Sequence, residues 1–191
     1  MLGRQAKVIN DSTLRRMLAY ARRTRFPHRD QVVVLLSVKA GLRACEIARL
    51  EWSMVVNADG RVGDLLEIRA SIAKKRSGRR IPVHPRLREA LQRLWKERRS
   101  ETHVIASARG GAMRPNSIVN WFVAMFHELE IEGCSSHSGR RTFITGAARN
   151  VHRTGGSLRD VQMLAGHQSI ETTQGYIDGN TLCQRRLVGM L

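Results

Sequence analysis

Apolar side chains recur every three to four residues over most of the chain, the spacing of one face of an α-helix. Leu14, Met17, Leu18 and Ala21 follow Asp11 or Ser12 as N-cap and predict a first amphipathic helix, with Arg15, Arg16, Arg22 and Arg23 on its other faces. The run from Asp30 to Ala40 alternates too little for an exposed strand, so it predicts a buried helix closed by Gly41. A new helix is expected just after Gly41, with Leu42, Cys45, Ile47 and Leu50 inward. Pro85 and Pro115 sit where helices begin. The first of these helices buries Leu87, Leu91, Leu94 and Trp95 to about Arg99, and the second Ile118, Val119, Phe122, Phe126 and Leu129. Ser136 or Ser138 can cap a helix holding Arg140, Phe143, Ile144 and Ala147. Two short helices follow, one ended by Gly166 and one capped by Ser169, and a last apolar stripe runs through Leu182, Leu187, Val188 and Leu191.

Between Ser53 and Val83 the period changes. "MVV", an "ADG" turn, "DLLEIRASI", a basic turn around Ser77 and Gly78, and "RIPV" predict a short antiparallel meander of three strands. The expected class is α+β, mainly α-helical, with a small three-stranded antiparallel sheet. At 191 residues one compact domain is expected.

Charge narrows the partner. Lys and Arg number 33 against 16 Asp and Glu, a net charge of +17, while 42% of the residues are hydrophobic. A folded, strongly basic chain points to a polyanion. Only five of the cations are Lys, and that skew suits planar, bidentate recognition of phosphate. Cys45, Cys134 and Cys183 form no Cys-x-x-Cys, which suggests neither zinc site nor disulfide framework. No 18-residue apolar run and no signal-peptide core are present, so a soluble, cytoplasmic protein is expected.

Candidate chemistry concentrates between Ser136 and Ile177. His137 and Arg140 stand at i and i+3, His167 follows, and Tyr176 comes nine residues later. About one His-x-x-Arg is expected by chance at this composition, so order and spacing carry the argument. Arg43 sits at a helix start beside Gly41, a place where phosphate fits, although on local sequence alone a surface Arg paired with Glu46 at i+3 is the better reading. Lys74 and Lys75 end a strand next to the basic turn. A tyrosine hydroxyl attacking a DNA phosphate needs cations on the non-bridging oxygens, a base for the phenol and an acid for the leaving oxygen. Arg43 and Arg140 can be the clamp, His137 the base, Lys74 the acid and His167 a further donor. Neither metal nor ATP is called for.

Four stretches in this order resemble the tyrosine recombinases, the phage-integrase family of site-specific recombinases. "GLRACEIARLEW" is similar to the family's first-arginine box, "AKKRSGRRIPV" to its β-hairpin lysine box, "HSGRRTFITGAA" to its His-x-x-Arg box and "LAGHQSIETTQGYI" to the box of the second histidine and the nucleophile. The resemblance covers roughly residues 10 to 180. It implies the tyrosine-recombinase catalytic fold and the site Arg43, Lys74 (Lys75 as fallback), His137, Arg140, His167 and Tyr176, with Tyr176 as nucleophile. It also implies a 3′-phosphotyrosyl intermediate, a tetramer on double-stranded DNA, accessory DNA-bending proteins as potential partners, and integration, excision or inversion as the outcome. Residues 1–180 would be the catalytic domain and 181–191 a tail docking on a neighbouring subunit.

About ten residues precede the first helix, so the chain resembles the short, catalytic-domain-only recombinases, or a fragment of a mobile element. A type IB topoisomerase-like enzyme and a non-catalytic DNA-binding regulator derived from a recombinase are the alternatives. A zinc hydrolase is disfavoured, because no third ligand stands at metal-ligand spacing near the two histidines.

Overall fold

A computed structural model describes residues 6–73, 77–176, 185 and 188–190. Helices α1 (Asp11–Arg23) and α2 (Pro27–Lys39) pack side by side, followed by the short α3 (Ala44–Arg49). A two-stranded antiparallel sheet, β1 (Leu65–Ile68) and β2 (Arg79–Pro82), leads to α4 (Pro85–Arg98) and α5 (Pro115–Glu128). The chain then enters α6 (Ser138–Asn150), α7 (Leu158–Ala165) and α8 (Ile170–Gln174).

The amphipathic helices form where their spacing places them. In α1 the buried residues are Leu14, Met17, Leu18 and Ala21, and the cap is Asn10, one residue earlier than expected, whose side chain accepts from Thr13 N at 2.8 Å. Helix α2 is buried along most of its length, including Val32 to Val38, and so forms the central rod of the main core. It contacts α1, α4 and α6. Burial of this kind contributes about 25 cal/mol for each Å² of apolar surface removed from water, so the packed faces stabilise these helices more than their intrinsic propensity does. Neither serine caps α6. His137 holds the N-cap position, while Ser138 Oγ accepts from Ser135 N at 3.0 Å.

Two glycines let α6 approach the rod. Gly41 has a φ of +63°, and a Cβ there would lie 2.5 Å from the Phe143 ring. At Gly139 a Cβ would lie 2.1 Å from Ser37 Oγ on α2. A side chain at either position would push α6 off the core.

Among the described residues the sheet has two strands, not three. Leu65 to Ile68 pair with Pro82 to Arg79, but the segment expected as the first strand begins as a 3₁₀ turn over Trp52–Met54. Only the single bridge between Val56 and Val62 survives of that pairing. The cause is the tight turn between them: Asn57 N donates to Arg61 O at 2.8 Å, and Arg61 N to Asn57 Oδ1 at 2.9 Å, which leaves too little extended chain for a ladder.

A second, smaller cluster lies beyond the main core. Ile144, Val161 and Ala165 bury against one another with Phe143, Leu158 and Tyr176 around them. Phe143 packs against both clusters and joins them. Most of the apolar tail, with Leu182, Leu187 and Leu191, lies outside the described residues, as do Lys74 and Lys75.

Candidate active site

One carboxylate organises the basic residues. Glu46 lies in α3 and is 0% exposed. Its Oε1 accepts from Arg79 Nη1 at 2.9 Å and its Oε2 from Arg79 Nη2 at 3.0 Å. The same carboxylate receives Arg43 N at 2.8 Å and Arg43 Nη1 at 3.3 Å. Burial pushes the Glu46 carboxyl up, but the hydrogen bonds and charge of Arg79, then those of Arg43, more than offset it and hold the group below its usual range. Glu46 is therefore ionised at neutral pH.

Arg140 is the opposite case. It is 3% exposed, and its guanidinium donates to two main-chain carbonyls, Gly41 O at 2.7 Å and Ala165 O at 2.6 Å. Among the described residues no carboxylate forms an ion pair with it. Burial first, then the nearby charge of Arg43, brings its pKa down to about 10, so it stays a cation at neutral pH. A buried cation without an anion is costly. An anion bound beside it would offset that cost.

Gly41 is the local device that makes this possible. Its left-handed backbone ends α2, aims its carbonyl at Arg140 and starts the chain toward Arg43 two residues later. Arg43 and Arg140, far apart in sequence, thereby stand close enough to repel each other.

His167 sits in the joint between α7 and α8, 8% exposed. Gly166, with φ +63°, closes α7, and Gln162 holds the histidine's backbone at both ends: His167 N donates to Gln162 O at 3.1 Å, and Gln162 Nε2 to His167 O at 3.0 Å. Thr173 Oγ1, fully buried in α8, lies 2.9 Å from His167 Nδ1. Burial, then the charges of Arg140, Arg43 and Arg79, pushes the imidazole down to about 4, so the ring is neutral at pH 7. The contact serves either tautomer of the neutral ring: a threonine hydroxyl that donates to Nδ1 leaves the ring proton on Nε2, and one that accepts takes it from Nδ1.

Tyr176 follows α8 directly. Its ring stacks on His167 at a centroid distance of 5.4 Å and an interplanar angle of 25°, and its carbonyl accepts from Thr145 Oγ1 of α6 at 3.2 Å. A cavity of about 310 Å³ is lined by Ala6, His137, Arg140, Arg141, Glu171, Thr172, Gly175 and Tyr176. His137 is exposed at its rim while Arg140 is buried behind it. Of the six residues expected from the sequence, Arg43, His137, Arg140, His167 and Tyr176 thus converge, and Lys74 lies outside the described residues.

Sequence reasoning missed Arg79, which it read only as part of a basic turn, and also Thr173 and Gln162. Strand alternation was the available signal for Arg79. It is two residues before buried Ile81 and so shares its inward face, whereas Arg80 points outward. The pairing of Arg43 with Glu46, set against a phosphate-binding role on local sequence, is present; the same contact holds Arg43 beside Arg140.

The chain is 32% identical over 154 residues to tyrosine recombinase XerC of Pseudomonas fluorescens (strain Pf0-1), an alignment covering 78% of this chain and 47% of the relative. It is 26% identical over 140 residues to the putative integrase/recombinase y4qK of Sinorhizobium fredii, covering 72% of this chain and 42% of that protein. The chain spans about half the length of the curated relatives it matches. By fold it is similar to the Tn1549 transposon integrase, with a TM-score of 0.79 at 15% identity over 98% of this chain and 66% of the other. It is similar also to XerA recombinase, with a TM-score of 0.73 at 21% identity over 96% of this chain and 64% of the other. The sequence model described as "Phage integrase family" matches residues 7–182, and the chain belongs to that family.

Proposed function

We propose that this chain is the catalytic domain of a site-specific DNA recombinase, which cleaves and rejoins strands through a 3′-phosphotyrosyl intermediate. The observation that carries the reading is the buried Arg140 cation, held by carbonyls and unpaired with any described carboxylate, beside Arg43 and the ring of Tyr176. Such a pocket suits the phosphate of a DNA strand. Solved structures of the same fold include the Tn1549 integrase with circular intermediate DNA and the XerH recombinase bound to difH substrate.

In this mechanism the Tyr176 hydroxyl oxygen attacks the scissile phosphorus. Its proton passes to His137, the bond from phosphorus to the 5′-oxygen breaks, and that oxygen takes a proton from Lys74. The product is a 3′-phosphotyrosine and a free 5′-hydroxyl. Arg43 and Arg140 stabilise the charge on the non-bridging oxygens, and His167 adds a hydrogen bond through its Nε2 proton. One phosphoester is exchanged for another, so the step requires no energy input. The net charge of +17 draws the duplex to the chain with strong salt dependence. Double-stranded DNA and other copies of the chain, as a tetramer, are the partners of this reading. Its catalytic unit is residues 1–180.

Three outcomes are expected. Incubation with nicked or suicide DNA substrates, without divalent metal, gives a covalent adduct on a denaturing gel. Tyr176→Phe abolishes the adduct while DNA binding persists, and Arg140→Ala slows its formation by on the order of 10²- to 10³-fold. Ordinary DNA binding with no adduct on any substrate would instead support a non-catalytic regulator, and site-independent relaxation of supercoils by a monomer a topoisomerase.

NMR of ¹³C-labelled histidines is expected to show His167 neutral until the pH falls to about 4. Because its folded pKa is depressed, the unfolded chain takes up a proton that the folded chain refuses. Stability from this group is full above about pH 6.5 and is lost as the pH falls toward 4. A His167 that titrates near 6.5 would contradict the site's electrostatics. The tail from residue 181 to 191 is proposed to dock on a neighbouring subunit; its deletion is expected to weaken oligomerisation on DNA, and unchanged assembly would count against docking.

A further inference from the structure

Arg79 lies in the most basic stretch of the chain yet has a side chain only 4% exposed, whereas the side chain of its neighbour Arg80 is 73% exposed. Its two terminal nitrogens grip both oxygens of Glu46, and its Nε donates to Leu164 O at 3.0 Å, in the last turn of α7. Its Cδ stands where a Cβ on Gly166 would come within 2.8 Å, so the residue before His167 packs directly on this side chain. The carboxylate it grips is the one that holds the backbone and guanidinium of Arg43. One guanidinium therefore joins β2, α3 and α7.

Resting on the recombinase reading above, we infer that Arg79 is a positioning residue, fixing Arg43 and His167 relative to each other without touching the phosphate itself. All three of its nitrogens are engaged by protein and the group is buried, so it is not a third member of the clamp. The fork geometry is required. An ammonium carries its three donors on one nitrogen, so it cannot give Glu46 the two parallel hydrogen bonds of the fork while a separate nitrogen reaches Leu164 O. Its charge acts on the site as well, since Arg79 is among the cations that keep His167 neutral.

The test compares Arg79→Met, Arg79→Lys and the double variant Arg79→Met/Glu46→Gln with Arg80→Met, which removes an equal charge from the exposed face of the same strand. Adduct formation is followed in single turnover across a range of DNA concentrations, with thermal unfolding as a check on folding. Arg79→Met is expected to cleave on the order of 10²-fold more slowly at saturating DNA, with half-saturation close to that of Arg80→Met. Arg79→Lys, which keeps the charge but not the fork, recovers only part of the rate, and His167 in the two variants that lose the charge titrates at higher pH than in wild type. The double variant removes both charges and leaves no buried carboxylate stranded, so it is the informative protein if Arg79→Met does not fold. A folded Arg79 variant that cleaves like Arg80→Met, with His167 unmoved, overturns the inference. Should wild type itself form no adduct, the recombinase reading falls, and the His167 titration still decides whether Arg79 sets this site.

Discussion

The ion pair between Glu46 and Arg79, closed to solvent and bidentate, is the constraint on which the rest of the site depends. A buried carboxylate is stable only when its oxygens are satisfied, and here four donors from two arginines satisfy them. Because those donors come from a strand and from the N-terminal edge of α3, satisfying Glu46 fixes the sheet against the helix. The Nε contact to α7 extends the same constraint to the joint that carries His167.

Three guanidinium groups share this small volume with one fully buried carboxylate, and the structure separates their tasks. Arg79 is spent on Glu46, Arg43 is half committed to it, and Arg140 is held by two carbonyl dipoles and pairs with no carboxylate among the described residues. Dipoles orient a cation without neutralising it, so positive potential accumulates beside Tyr176 and His167. That is what a site needs if it is to stabilise a five-coordinate phosphate in place, because the charges are set before the substrate arrives. The depressed imidazole of His167 follows from its burial first and then from the same excess of cations, and it leaves that ring neutral, with a single proton.

Much of the fold is legible in the chain's periodicity. Leu14, Met17, Leu18 and Ala21 announce α1, and the apolar run of α2 announces a buried helix, whose place as the central rod the packing then shows. The missing third strand is a failure of local reading: "MVV" has strand composition, but Trp52 and Asn57 on either side close turns that leave it no length. The convergence of Arg43, His137, Arg140, His167 and Tyr176 was legible because motif order binds them, although they lie on elements far apart in sequence. Arg79 was hidden for a physical reason. In a run of arginines, composition predicts solvation, and only the strand alternation that sets it beside Ile81 shows which one turns inward. Gly139 was likewise visible as a helix residue, while its purpose, clearance for Ser37 on α2, exists only in three dimensions.

The central claim is that Arg140 and Arg43 form a prepared seat for a phosphate beside Tyr176. The most direct measurement is the anomalous-diffraction structure of crystals soaked in tungstate, an oxyanion of phosphate shape whose metal can be located without bias. The account predicts an anomalous peak between the Arg43 and Arg140 guanidinium groups, within reach of His167 Nε2 and facing the Tyr176 hydroxyl. Tungstate bound on the exposed arginines but absent from this pocket would contradict it.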